Sequence, residues 1–326
     1  MKIVVLGTKA RYQRYMPDLP FAHAQTPVYL DKDCSEEQIL SAAGDAEVMF
    51  VDAIAPVSGH LIERMPHLRL IQSEGVAFDK IDLSAARARK IDVCNCKGCN
   101  AAAVAEQTIL LMLMLLRRAL EGDRAVRQGR QMEMKERSMV EGIRELSDCR
   151  IGLVGFGDIA QATAARLAAF GCELYYYAPH RRSQEEARCG VRYLPLEELA
   201  AACDIISLHC AVTDQTRGMV DAAFLSRMKP MAYLVNTSRG ELVDNLALRQ
   251  ALLEGRIAGA GFDTLAPEPV PADHPLVDLP EAVRDRVVFS PHLGGITESS
   301  FRRSHLHMWR NAERVAAGEK PDHIVN

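Results

Sequence analysis

Short apolar runs recur along this chain, each followed by a stretch whose apolar positions repeat at helical spacing. Strand-like runs fall at residues 2–6, 48–51, 68–72 and 92–95, with a helix-like segment between each pair. A second set follows at 151–154, 172–177, 204–208, 233–236, 259–263 and 287–290. Strands alternating with helices imply a parallel sheet covered on both faces, and hence an α/β architecture. A long apolar helix over 101–120 separates the two sets. Its Met and Leu stripe reads as a buried inter-domain or dimer helix rather than a cofactor surface.

Composition narrows the picture only by exclusion. A formal net charge of −4 over 326 residues gives no electrostatic reason for nucleic acid or an anionic membrane as a partner. The first apolar run is short for a signal peptide, and the segment 108–116 is far below the ~20 residues that span a bilayer. Nine cysteines, an odd number, point to free thiols in a reducing compartment, so a cytoplasmic protein is expected. Cys94, Cys96 and Cys99 form C-x-C-x-x-C, but no fourth ligand stands nearby to complete a zinc site. They read as packed small hydrophobes or a reactive thiol, with no metal expected.

Chemistry first shows between residues 151 and 182. The apolar run at 151–154 leads into Gly155-Phe156-Gly157-Asp158-Ile159-Ala160, then an amphipathic helix, then a strand ending at Ala178. This is a G-x-G-x-x-A turn with a strand before it and a helix after it, the setting a dinucleotide site requires. Gly155 takes the tight turn, Gly157 lets a pyrophosphate approach the backbone, and Ala160 lets the helix pack closely. The helix N-terminus offers unpaired N–H groups and a partial positive charge.

The end of the second strand bears on cofactor choice. An NAD site places Asp or Glu there to accept bonds from the ribose hydroxyls, but this chain has Ala178, followed by Pro179, His180, Arg181 and Arg182. A carboxylate would repel a 2′-phosphate, and two guanidiniums could grip one with charge-assisted bonds worth about 1.5–3 kcal/mol each. NADP (as NADPH) is therefore expected over NAD, by roughly ten- to hundred-fold. The competing reading makes Arg181 and Arg182 solvated charges at the start of a helix.

Three polar residues follow strands in the second set, where doubly wound sheets place their ligands: Arg239, Glu268 and His292. Hydride transfer to a keto acid needs a cation for the carboxylate, a proton donor for the carbonyl oxygen, and a carboxylate to hold that donor. These residues are of those three types. Further segments accompany them: Gly98-Cys99-Asn100-Ala101 with Val104-Ala105-Glu106, Leu208-His209-Cys210 with Thr213 and Thr216, Asn236 to Gly240, Gly259 to Asp263, Ala272 to Leu276, and Ser290-Pro291-His292. In order and spacing, over nearly its whole length, the chain resembles the D-isomer-specific 2-hydroxyacid dehydrogenases, glyoxylate/hydroxypyruvate reductases among them.

The resemblance implies two Rossmann-like doubly wound parallel-sheet domains with the active site in the cleft between them. Residues 1–100 plus 293–326 would form the substrate domain and 101–292 the dinucleotide-binding domain. Arg239 would orient the keto acid and His292 would be the general acid in reduction. Glu268 would bond the other imidazole nitrogen and keep the proton available, and Asp263 would hold the nicotinamide carboxamide. Val76 and Ala77 would bind the substrate carboxylate through their N–H groups, beside Arg239 and His292. His209, Thr237, Ser238, Gly294 and Gly295 would join the turn residues and Arg181 and Arg182 in holding the cofactor. A homodimer is implied as well.

Departures from the family pattern keep some questions open. Ala178 replaces the usual acid, Pro179 stands where NADP-preferring members often carry Arg, and Ala211 stands where Pro is usual. Asp52 and Glu74 fall on loops expected to face the substrate. Two acids there would disfavour a dianionic substrate and favour one with an amino group or several hydroxyls; otherwise they are solvated loop charges. Two alternatives stand beside a small 2-keto acid as substrate. One is a 3-phosphoglycerate dehydrogenase-like enzyme, whose branch tends to carry Arg at the position of Ser73. The other is an NAD-sensing corepressor-type binding protein of the same fold.

Overall fold

The computed structural model describes residues 1–326. They form two compact units, Met1–Asn100 with Ile296–Asn326, and Ala101–Gly295. Each is built on its own parallel sheet.

In the first unit the strands are β1 (Ile3–Leu6), β2 (Val28–Leu30), β3 (Val48–Val51), β4 (Leu70–Ser73) and β5 (Asp92–Cys94), ordered β2-β1-β3-β4-β5. β1, β3 and β4 are buried at every position, as strands covered on both faces must be. β2 is a half-exposed edge strand of three residues, too short for its pattern to mark it in the sequence. Order reverses between β1 and β3, and the loops after those strands open at this switch point. The C-terminal helix Glu298–Ala316 returns to this sheet, capped by Thr297. It places Met308, Trp309, Ala312 and Val315 among Ile3, Val5, Phe50 and Leu70. Trp309 meets the Phe50 ring edge-on at 5.2 Å between centroids.

The second unit orders its seven strands β12-β11-β10-β9-β6-β7-β8. They are β6 (Arg150–Val154), β7 (Glu173–Tyr177), β8 (Arg192–Tyr193), β9 (Ile205–Leu208), β10 (Tyr233–Asn236), β11 (Gly259–Phe262) and β12 (Val287–Phe289). β8, with two residues at the edge, also escaped the sequence pattern. The switch point lies between β6 and β9, where the dinucleotide turn leaves the sheet.

The helix Ala101–Leu116 packs on this sheet and on the helix Asp158–Ala168. Gly261 of β11 lets it approach, since an added Cβ there would lie 3.2 Å from Leu111. The helix ends four residues before the expected Leu120. Arg118 adopts a left-handed conformation (φ +50°), and a separate helix, Ala119–Arg127, begins behind it.

Candidate active site

Gly155 has φ +93°, and a Cβ on it would lie 2.7 Å from the backbone carbonyl of His209. Only glycine satisfies both the left-handed turn and this approach of the β6 and β9 loops. Gly157 caps the helix Asp158–Ala168, and a Cβ there would meet nothing within 4 Å. The N–H groups of Gly157, Asp158 and Ile159 have no backbone partner, so donors at a helix N-terminus face open space. Ala160 is fully buried against the sheet. Phe156, expected among the cofactor-binding residues of the turn, sends its side chain into the core, where it stacks on Tyr176 at 4.3 Å, and leaves only its backbone available. The arrangement fits a bound pyrophosphate.

After β7, Ala178 is buried and brings no carboxylate. Arg181 and Arg182 are exposed but not free. Arg181 donates to Glu186 through Nε (2.8 Å) and Nη2 (3.0 Å), and Arg182 lies 3.7 Å from Glu185. Two local glutamates thus neutralise the pair, which weakens the charge argument made from the sequence.

On the other side of the switch point, the imidazole Nδ1 of His292 lies 3.0 Å from both carboxylate oxygens of Glu268. His292 itself has φ +57°, a conformation that costs a non-glycine residue of order 1–3 kcal/mol and persists only where neighbours impose it. Those neighbours are visible. Asp263, 3% exposed, accepts from the Leu293 N–H (2.9 Å), the Gly294 N–H (2.8 Å) and the Ser290 hydroxyl. Gln107 donates to that same hydroxyl at 2.9 Å. The loop carrying Glu268 is anchored at Ala266, whose carbonyl accepts from His274 Nε2 and Asn245 Nδ2, both at 3.1 Å. His274 Nδ1 accepts from the Leu276 N–H, so Nε2 must carry the proton.

Arg239 lies half-buried on the loop after β10 and has no carboxylate partner; its Nη1 donates to the Ser238 carbonyl at 2.8 Å. An unpaired guanidinium of this kind suits a substrate carboxylate. Gly240 beside it must be glycine, because a Cβ would lie 2.2 Å from the Leu265–Ala266 backbone.

Several expected cofactor contacts are directed elsewhere. Thr237 Oγ1 bonds Thr108 Oγ1 (2.9 Å) and the Ser238 hydroxyl donates to the Cys210 carbonyl (2.5 Å), so both side chains serve the protein interior. The Gly294 N–H is held by Asp263, while Gly295 is half-exposed. Asp263 itself uses three of about four acceptor sites on the His292 loop, leaving little for a carboxamide. His209 turns its Nε2 toward Ser207 (2.9 Å), and burial pushes its pKa down to about 4.

In the first unit, the loop after β4 has its carbonyls occupied and key donors free. Gly75 O accepts from the Cys96 N–H (2.8 Å), Val76 O from Asn95 Nδ2 (2.8 Å), and Ala77 O from the Ser73 hydroxyl (2.7 Å). The N–H groups of Val76 and Ala77 have no backbone partner. The structure also adds a residue missed in the sequence. Arg11, from the helix after β1, donates through Nε to Glu74 (2.9 Å) and through Nη2 to both Glu74 and Asp52 (2.6 Å to Asp52). His305 Nε2 meets Glu74 Oε1 at 2.8 Å. Burial works against the Arg11 charge, but the two carboxylates outweigh it and hold the guanidinium firmly protonated. Asp52 and Glu74 are therefore ligands of Arg11 rather than open acids. The two acids in the loops were the one signal that a cation had to be found.

The sequence profile for the D-isomer specific 2-hydroxyacid dehydrogenase NAD binding domain matches residues 109–294. The chain is 35% identical over 292 residues to glyoxylate reductase from Korarchaeum cryptofilum, covering 90% of this chain and 86% of that protein. The chain belongs to the D-isomer-specific 2-hydroxyacid dehydrogenase family. Solved relatives include an acyclic imino acid reductase in complex with NADPH and D-Arg, at 25% identity and a TM-score of 0.84. Another is the NAD-complexed D-isomer specific 2-hydroxyacid dehydrogenase from Lactobacillus delbrueckii ssp. bulgaricus, at 26% identity and 0.82. Each match covers 100% of both chains. As a dehydrogenase of this family the protein is an oxidoreductase with an NAD(P)-binding domain, the one described by β6 to β12.

Two outcomes follow for this dehydrogenase. His209 is neutral when folded and titrates near its ordinary value when unfolded, so the unfolded state takes up the proton first as pH falls. Stability should be complete above about pH 6.5 and decline toward pH 4, by up to about 3 kcal/mol. His209→Gln should flatten that arm of a denaturant-unfolding pH series. Arg11→Met should cost about 3–5 kcal/mol in the same assay, because it strands a Glu74 carboxylate whose side chain is 5% exposed.

Proposed function

We propose that this dehydrogenase reduces a small 2-keto acid, of the glyoxylate or hydroxypyruvate kind, to its D-2-hydroxy acid, with NADPH preferred. Two observations carry the reading: the Glu268–His292 pair, and an Arg239 that has no carboxylate of its own. Arg239 holds the substrate carboxylate and carbonyl by charge-assisted bonds. His292 gives a proton from Nε2 to the carbonyl oxygen, while Glu268 fixes the ring by Nδ1–H and stabilises the imidazolium. The same pair accepts the proton in the reverse direction. The cofactor supplies the hydride; the helix-end N–H groups at Gly157, Asp158 and Ile159 fit its pyrophosphate. We assign Val76 and Ala77, with their unpaired N–H groups, to carboxylate binding. Asp263, Thr237, Ser238, Gly294, Gly295 and His209 shape the walls and loops of the cofactor region.

Cofactor preference rests on Ala178, Arg181 and Arg182. The Arg181–Glu186 pair is exposed to solvent and screened by it, so a 2′-phosphate can displace it. Net of that loss, a preference of roughly ten-fold for NADPH is expected rather than hundred-fold.

Steady-state reduction of glyoxylate and hydroxypyruvate with NADPH and NADH in parallel tests the proposal. Turnover with NADH alone would discard the phosphate site, and no turnover with either keto acid would discard the substrate class. Ala178→Asp should reverse the ratio of kcat/KM toward NADH; an unchanged ratio places the choice elsewhere. His292→Ala should lower kcat by about 10²–10⁴-fold while leaving NADPH affinity, read by fluorescence titration, unchanged.

A further inference from the structure

Cys96 and Cys99 lie outside the chemistry described so far, yet they are tied to the loop assigned to carboxylate binding. The Cys99 N–H donates to the Cys96 carbonyl at 3.1 Å, closing a four-residue turn through Lys97 and Gly98, and Gly98 takes φ +76°. Such a turn keeps its end Cα atoms within ~7 Å, overlapping the ~4.4–6.8 Å a disulfide spans. The neighbouring Cys96 thiol is the largest influence on the Cys99 sulfur.

The two sulfurs differ in character. Cys96 is 1% exposed, its thiol bonded to the Ser73 carbonyl at 3.3 Å, and burial pushes its pKa up. Cys99 is half-buried, and the Cys96 thiol, Ser304 and the Arg303 charge bring it down to about 7 against the pull of burial. Arg303 is held there by its Nε–H bond to the Cys99 carbonyl (2.7 Å). Burial holds Cys94 and Cys203 up at about 12, and Cys172 and Cys210 at about 11. Near neutrality Cys99 is the thiol with substantial thiolate and some access to solvent.

We propose that Cys96 and Cys99 form a peroxide-responsive dithiol whose oxidation weakens keto-acid binding. The Cys99 thiolate attacks hydrogen peroxide, breaking the O–O bond to give a sulfenic acid and hydroxide. The Cys96 sulfur then displaces the sulfenic oxygen, which leaves as water, and the disulfide closes. The two thiols are oxidised by two electrons and peroxide is reduced to two equivalents of water. Bonding to Cys99 draws the Cys96 sulfur from the Ser73 carbonyl and strains the Cys96 N–H bond to Gly75 O. That bond helps hold the Val76 and Ala77 N–H groups open.

The effect on binding rests on the function proposed above, but disulfide formation does not. Trypsin cuts after Lys97, between the two cysteines, so a non-reducing digest with fragment-ion sequencing, which tells Cys96 from Cys94 in peptide 91–97, reports the bond. After peroxide treatment, peptides 91–97 and 98–117 should run as one species, linked through Cys96, and separate with dithiothreitol. Keto-acid KM should rise by about ten-fold, the loss of one well-made hydrogen bond, with kcat and NADPH KM unchanged. Cys99→Ser should neither link nor respond. Separate peptides after a peroxide dose that oxidises Cys99 further would overturn the dithiol. A linked pair with unchanged keto-acid KM would overturn its coupling to the loop. If no keto acid is turned over at all, the digest still decides the modification while the function falls separately.

Discussion

A carboxylate buried at the end of a strand must be matched by donors, and at Asp263 that requirement organises the loop that carries His292. Its oxygens collect the N–H groups of Leu293 and Gly294 and the Ser290 hydroxyl, which Gln107 holds from the long helix. The loop so fastened can keep His292 in a left-handed conformation that a free loop would relax. His292 then reaches Glu268, whose own loop is pinned at Ala266 by His274 and Asn245. One buried carboxylate thus sets the geometry of His292 without touching it.

The first unit solves a related problem with an ion pair. Arg11 and Glu74 are drawn together at the carboxyl ends of β1 and β4, with Asp52 and His305 completing the set. Desolvating such charges offsets most of their attraction, so the network contributes definition to the loop more than net stability. That loop keeps its carbonyls bound and the Val76 and Ala77 N–H groups open. It also leans on Cys96, whose N–H bonds Gly75 O and whose thiol bonds the Ser73 carbonyl.

The parallel α/β character and the strand–glycine turn–helix unit were legible because each rests on local spacing, as was the placing of Arg239, Glu268 and His292 after strands. Apolar runs mark strands, and polar residues directly after them fall at the sheet edge where ligands bind. β2 and β8 were not legible, being edge strands of three and two residues with partial burial. The helix boundary at Leu116 was missed because no glycine or proline announces the left-handed Arg118. The directions of Phe156, Thr237 and Ser238 were also hidden, since a turn residue's side chain can face ligand or core with the same sequence around it.

By itself the sequence determined which buried segments become strands, where the chain makes its glycine turn into a helix, and which residue types stand at strand ends. Those follow from periodicity and from the few residues able to take a given backbone shape. Only the tertiary structure decided which side chains meet. Arg11 finds its partners 41 and 63 residues away, and Arg181 and Arg182 turn to Glu186 and Glu185 beside them. Long flexible charged side chains have many partners within reach, and the choice among them depends on distances and burial that exist only once the sheets are assembled.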